Sequence, residues 1–237
     1  MAAIGSRLAD IVSDLVLRNA EVRDVAPVAP GFVRVTLTSP GFSSSNWSPG
    51  MKLQLRAQRG GFQLRTYTPV SWDNDTASTQ VIGWNADHGP GGRWFGEVAV
   101  GDVCEVFGPR RSLPLGDLAD DAVFVGDETS IGLASAFHAL RPHAFHVFES
   151  VDLAALTAAL DALGLPAAQR VVVAKDDDRG ALLGHLRDHA ADIKDPFDIV
   201  VTGDVATVRA VRRSARELSA RKVHGKAYWA KGRAGLD

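Results

Sequence analysis

At "GPRRSLPLGDLADD", Gly108–Asp121, the hydrophobic period of this chain changes. Before it lie short β-branched or alternating runs, "FVRVTLTSP", "MKLQLRAQ", "LRTYTPVSW", "TQVIGW" and "DVCEVFGP", separated by Gly, Pro, Asn and Ser clusters such as "SPGFSSSNWSPG". Short strands punctuated by turns predict a small barrel or sandwich. One helix is expected inside it, near "GRWFGEVAV". After the change, apolar runs ("AVFVG", "AFHVFES", "RVVVAKD", "FDIVVTGD") alternate with helical stretches ("SIGLASAFHAL", "DLAALTAALDAL", "GALLGHLRDHAADI", "VATVRAVRRSARELSA"). Strands apolar on both faces and alternating with helices predict a parallel sheet covered on both sides. The chain therefore reads as a two-domain α/β protein with its boundary near Leu115: residues 1–115 form a β domain and residues 116–237 a doubly wound α/β domain.

At 237 residues and 46% hydrophobic content, the chain can fill a core for each domain. A net charge of −2 gives no bias toward nucleic acid or an anionic membrane. The C-terminus is nevertheless basic: from Val205 onward Arg209, Arg212, Arg213, Arg216, Arg221, Lys222, Lys226, Lys231 and Arg233 face only Glu217 and Asp237. The four arginines from Arg209 to Arg216 fall opposite Val205, Val208, Val211 and Leu218, as on the solvated face of a helix. One cysteine, Cys104, excludes an internal disulfide and an iron–sulfur cluster held by this chain. No run reaches the apolar length of a membrane span, and Asp10 and Asp14 interrupt the N-terminal segment where a signal peptide would be apolar. The reading is cytoplasmic. Ile4, Leu8, Ile11, Val12 and Leu15 recur at helical spacing and predict a short amphipathic helix.

A parallel sheet binds ligands outside the carboxyl ends of its strands, where the strand order switches. "VGDETS", "FESVD" and "VTGD" stand at such ends and mark the expected site. In "FVGDETSIGLASAF" a strand runs into Gly126, with Thr129 or Ser130 able to cap the next helix. Asp127 and Glu128 would repel a pyrophosphate, so the expectation is that they face a ribose, a nicotinamide amide or solvent. In the β half, "RTYT" places Arg65 and Tyr67 on one strand face and Thr66 and Thr68 on the other. A guanidinium suits a phosphate and a phenol ring suits a planar ligand. "HGPGGRWF" puts glycines where backbone can approach a ligand and where helix N–H groups meet a phosphate. Each motif taken alone is equally at home in an ordinary turn, strand or core.

Taken in order, the motifs resemble those of the siderophore-interacting proteins, flavin-dependent ferric-siderophore reductases related to the ferredoxin reductases. They are "RTYT" at 65–68, "HGPGGRW" at 88–94, "VGD" at 100–102, "GPR" at 108–110, "GDET" at 126–129, "VTGD" at 201–204 and "YWAKG" at 228–232. The resemblance implies an antiparallel Greek-key β-barrel that binds FAD, followed by a nicotinamide-nucleotide domain. It implies that Arg65 contacts the flavin phosphates, that Tyr67 stacks on the isoalloxazine, and that Thr68 reaches its reactive edge, with Thr66 on the same strand. His88, Gly91, Gly92 and Arg93 look like the pyrophosphate turn. Gly126, Asp127, Glu128, Thr129, Gly203 and Asp204 would line the nicotinamide side. Lys52 and Lys231 are the expected contacts to a ferric siderophore, and the protein itself ligates no metal. The sequence departs from the family pattern at Val70, where a second arginine is usual, and in a shortened turn from Gly89 to Arg93. Both departures remove phosphate ligands that Arg93, Arg110 or Arg111 would have to replace. The expected electron donor is NADPH or NADH: Glu149 suits a ribose hydroxyl, while the basic last helix suits a 2′-phosphate. A monomer is the default. The alternatives are a flavin reductase serving a partner protein and a flavoprotein that binds siderophores without turnover.

Overall fold

The computed structural model describes residues 17–56, 64–85, 89–113 and 115–232. The amphipathic helix expected near the N-terminus lies outside them. The first sheet contains β1 (Arg18–Ala29), β2 (Phe32–Thr38), β3 (Lys52–Arg56), β4 (Arg65–Tyr67), β5 (Ser71–Asp73), β6 (Ser78–Trp84) and β7 (Val103–Arg110). Their order is β4-β3-β7-β1-β2-β6-β5, and every pairing is antiparallel. The expected single strand "LRTYTPVSW" is two strands, because Pro69 has no N–H to give to a ladder.

That break explains the closure. β4 and β5 are the two edges of the sheet, yet only Thr68, Pro69 and Val70 separate them. Three residues reach at most about 10 Å, so the sheet curls until its edges meet, and Val70 N–H bonds the Gln80 carbonyl at 2.9 Å. The result is a barrel. Its interior is filled by Ala20, Val22, Val35, Leu37, Leu53, Leu55, Val81 and Val106, the inward members of alternating strands. The helix α1 (Pro90–Glu97) turns Phe95 into this core.

The second sheet contains β8 (Ala122–Gly126), β9 (Phe145–Ser150), β10 (Arg170–Ala174), β11 (Asp198–Asp204) and β12 (Lys222–Trp229). All pairs are parallel, in the order β10-β9-β8-β11-β12. The helices are α2 (Ile131–Leu140), α3 (Leu153–Ala162), α4 (Gly180–Asp192) and α5 (Val205–Ser214). β8 and β11, buried throughout, sit at the centre, and the order switches between them. On α5, Val208 and Val211 are buried while Arg209, Arg212 and Arg213 are exposed; Arg216 falls beyond its end.

The two halves share a core. Phe32 and Ile82 from the barrel pack in one cluster with Phe124, Phe137, Leu156 and Leu160 from the α/β half. Asp198 ties the connection down at the other end of the sheet: its carboxylate accepts the Ala119 N–H at 3.0 Å and the Arg221 Nε–H at 2.8 Å. The hydrogen bonds from Arg221 hold the Asp198 carboxyl down at about 2, against an ordinary 3.8. A depressed carboxylate stabilises the fold fully above about pH 4 and ceases to do so as pH falls through about 2. Asp198→Ala is expected to cost about 1–3 kcal/mol at neutral pH. Denaturant unfolding across the acid range checks this, with the variant and the parent converging toward pH 2.

Candidate active site between the barrel and the switch point

The barrel wall of the site is built on glycines. At Gly83 on β6 a Cβ would lie 2.0 Å from the Phe95 ring, so only glycine lets that ring in. Phe95 in turn stands edge-on to Tyr67, with centroids 5.1 Å apart. On α1, a Cβ at Gly91 would meet the Tyr67 hydroxyl at 2.6 Å. Tyr67 is thus held against α1, by Gly91 of its first turn and by the Phe95 ring that Gly83 of β6 admits, with its strand paired to β3 through Leu53. Arg65 and Thr66 precede it, opposite Leu55 and Gln54. All of them are half-buried. Lys52 lies one residue before Leu53 and opposite Arg110.

The glycine-rich stretch is the helix itself: Pro90, Gly91 and Gly92 form the first turn of α1, and Gly89 is its N-cap. Gly89 has no side chain with which to cap it. Arg93 is exposed in the next position, and His88 lies outside the described residues.

Thr68 is where the halves touch. A Cβ at Gly132, in the first turn of α2, would lie 2.6 Å from the Thr68 carbonyl oxygen. The end of β4 therefore rests on the helix that leaves the switch point.

At the switch point, Gly126 ends β8 and Asp127, Glu128 and Thr129 follow it, while Gly203 and Asp204 end β11. The carboxylates do not face solvent, contrary to one of the sequence alternatives. Asp127 is 0% exposed; its Oδ1 accepts the Thr129 N–H at 2.9 Å and its Oδ2 accepts the Asp204 N–H at 3.0 Å. Glu128 accepts from Ser150 Oγ and from the Val151 N–H, both at 2.7 Å. Burial, with the Asp127 charge beside it, pushes the Glu128 carboxyl above its ordinary range. Glu149 is buried as well, beneath Lys175 at 3.0 Å and the Thr207 hydroxyl, so it faces inward rather than toward a ribose. The reason in each case is that buried cations and amides are close enough to repay desolvation.

Two of those cations went unread in the sequence. Lys175, just past β10, lies 3.4 Å from Asp204 and 4.3 Å above the Trp229 ring, and Arg179 Nη2 lies 2.6 Å from Asp204 Oδ2. Trp229, at the end of β12, donates its indole N–H to Asp127 Oδ2 at 2.8 Å. "RVVVAKD" is a strand end like its neighbours, and applying the carboxyl-end rule to it would have found Lys175. Lys231 is exposed two residues beyond β12. Truncating Lys175 to Met should cost roughly 3–5 kcal/mol, because it leaves Glu149 and Asp204 undercompensated in the interior; a thermal melt against the parent reads it.

A scan against protein-family models finds no match, and neither does a search of curated proteins. Solved structures do match. A siderophore utilization protein from T. fusca superimposes with a TM-score of 0.72 at 22% identity, over 93% of this chain and 95% of that one. The siderophore-interacting protein SipS from Aeromonas hydrophila gives 0.72 at 19% identity, over 92% and 93%. Phthalate dioxygenase reductase, described as a modular structure for electron transfer from pyridine nucleotides to [2Fe-2S], gives 0.70 at 17%, over 93% of this chain and 71% of that one. This chain thus has the ferredoxin-reductase-like fold, an antiparallel barrel followed by a parallel α/β sheet, found in siderophore-interacting proteins and in that reductase.

Proposed function

We propose that this chain is an NAD(P)H-dependent, FAD-containing oxidoreductase that reduces ferric siderophores and releases iron as Fe(II). The observation that carries the reading is the junction at Thr68, where the strand bearing Arg65 and Tyr67 rests on the first turn of α2. A flavin held on β4 and α1 would then lie beside the switch point, where nucleotides bind in open α/β sheets.

The residues present fit FAD. The start of α1 offers backbone N–H groups and no capping side chain, whereas Asp127 and Asp204 cap the starts of other helices. Arg65 and Arg93 would serve the phosphates, with Tyr67 against the ring system and Thr66 and Thr68 on the same strand and just past it. In this reading residues 1–115 are the flavin domain and residues 116–237 the nucleotide domain. Bound FAD would accept a hydride from the nucleotide and pass its two electrons singly, so that one NAD(P)H yields two Fe(II). Gly126, Thr129 and Gly203 would form the floor under the nicotinamide, and Asp127, Glu128 and Asp204 would hold that floor rigid from beneath.

Lys52 and Lys231 would attract an anionic ferric chelate to the rim. The iron is substrate, not cofactor. Oxygen donors hold Fe(II) less tightly than Fe(III), so reduction itself drives release. The lone cysteine agrees with a protein that leaves iron ligation to the chelator.

Tyr67→Ala is expected to weaken FAD binding by roughly 1–3 kcal/mol, by analogy with aromatic–base stacking. Fluorescence titration of FAD into the flavin-free protein and the variant measures this. An unchanged dissociation constant would remove Tyr67 from the site.

A further inference from the structure

We infer that the nucleotide domain takes NADH in preference to NADPH. This rests on the reading of a pyridine nucleotide as donor and goes beyond it by naming which one. Within the parallel sheet β9 is the second strand, and the residue at the end of that strand meets the ribose that carries the 2′-substituent. An acid there suits a hydroxyl, and a nearby free arginine is needed for a phosphate.

Here that residue is Glu149, turned inward onto Lys175 and Thr207, so it does not itself select the hydroxyl; what bears on the choice is that the cations nearby are all committed. Among the described residues 145–180, the Lys and Arg side chains are Arg170, Lys175 and Arg179. Arg170 opens β10 at the amino-terminal end of the strands, in register with His146 and away from Glu149, and pairs with Asp161. Lys175 lies 3.0 Å from Glu149 and 3.4 Å from Asp204, with its side chain only 13% exposed. Arg179, 8% exposed at its side chain, is committed to Asp204 at 2.6 Å and to Glu149 at 3.5 Å. The arginines of α5 flank β11 and β12, across the switch point from β9.

What surrounds this ribose position instead is negative. Asp152, Asp177 and Asp178 are exposed on the loops that leave β9 and β10. The starts of the following helices are already filled by carboxylates: Asp152 Oδ1 accepts the Ala155 N–H at 3.0 Å, and Asp176 Oδ1 accepts the Gly180 N–H at 3.1 Å. A 2′-phosphate carries between one and two negative charges, roughly, near neutral pH. It would enter a rim of like charge where, among the described residues of these loops, neither a guanidinium nor a helix start is open to it. A 2′-hydroxyl meets no such opposition.

The test uses the FAD-loaded protein and reads binding as well as turnover. Calorimetric titration with NAD+ and NADP+ at low salt is expected to show NAD+ bound roughly tenfold more tightly. The gap should narrow at high salt as the rim is screened. Anaerobic flavin bleaching should favour NADH over NADPH in the same sense. Asp177→Arg, at an exposed side chain, is expected to shift both ratios toward the phosphorylated nucleotide. Equal or tighter binding of NADP+, or ratios unmoved by both salt and Asp177→Arg, would overturn the inference. If neither nucleotide bleaches a flavin that dithionite does bleach, the donor assignment itself fails and the inference falls with it.

Discussion

The Asp127 carboxylate joins the elements on which the α/β half depends. One oxygen receives the Thr129 amide and hydroxyl, shaping the turn out of β8; the other receives the Asp204 amide from β11 and the Trp229 indole from β12. Three strands and the start of α2 therefore converge on one buried anion, with Lys175 at 3.9 Å supplying opposite charge. The convergence dictates sequence around it. Gly203 has φ +103°, and a Cβ there would fall 2.4 Å from Asp127, so the residue before Asp204 has to be glycine on both counts. A charge so placed is costly unless every partner is present. The turn out of β8 and the end of β11 are consequently tied to one another through Asp127.

The barrel obeys a different constraint, the short path from β4 to β5. Because three residues connect the two edges of the sheet, closure and the position of Thr68 are the same fact. Thr68 then meets Gly132, and the shared cluster of Phe32, Ile82, Phe124 and Phe137 holds the halves at that contact. The junction is thus packed backbone backed by a shared apolar cluster.

Much of this was legible in the sequence where apolar runs were long and uninterrupted. "AVFVG" and "FDIVVTGD" are strands almost to the residue, and the four helices after them begin within one residue of the expected place. β1 was not legible: "RNAEVRDVAPVA" mixes charges, alanine and proline, and its inward positions Ala20 and Val22 are too few to set a period. β4 and β5 were fused because a proline between two strand-like runs reads the same whether the chain pauses or crosses a barrel. The orientation of Asp127, Glu128 and Glu149 was hidden for a deeper reason. Whether an acid faces ligand or interior depends on where a cation from another strand lies, and Lys175 and Arg179 are 26 or more residues away along the chain. Strand ends can be read locally, but the pairing of charges across them cannot.

The most direct test of the account follows the visible spectrum of the FAD-loaded protein in the absence of oxygen, first on adding NADH and then on adding a ferric siderophore with a ferrous trap. The account predicts bleaching by the nucleotide, followed by return of the oxidised flavin spectrum, with two trapped Fe(II) for each NADH consumed, about the ratio electron balance requires. A bleached flavin that stays bleached in the presence of the ferric chelate would contradict it and leave a reductase whose acceptor is a different molecule.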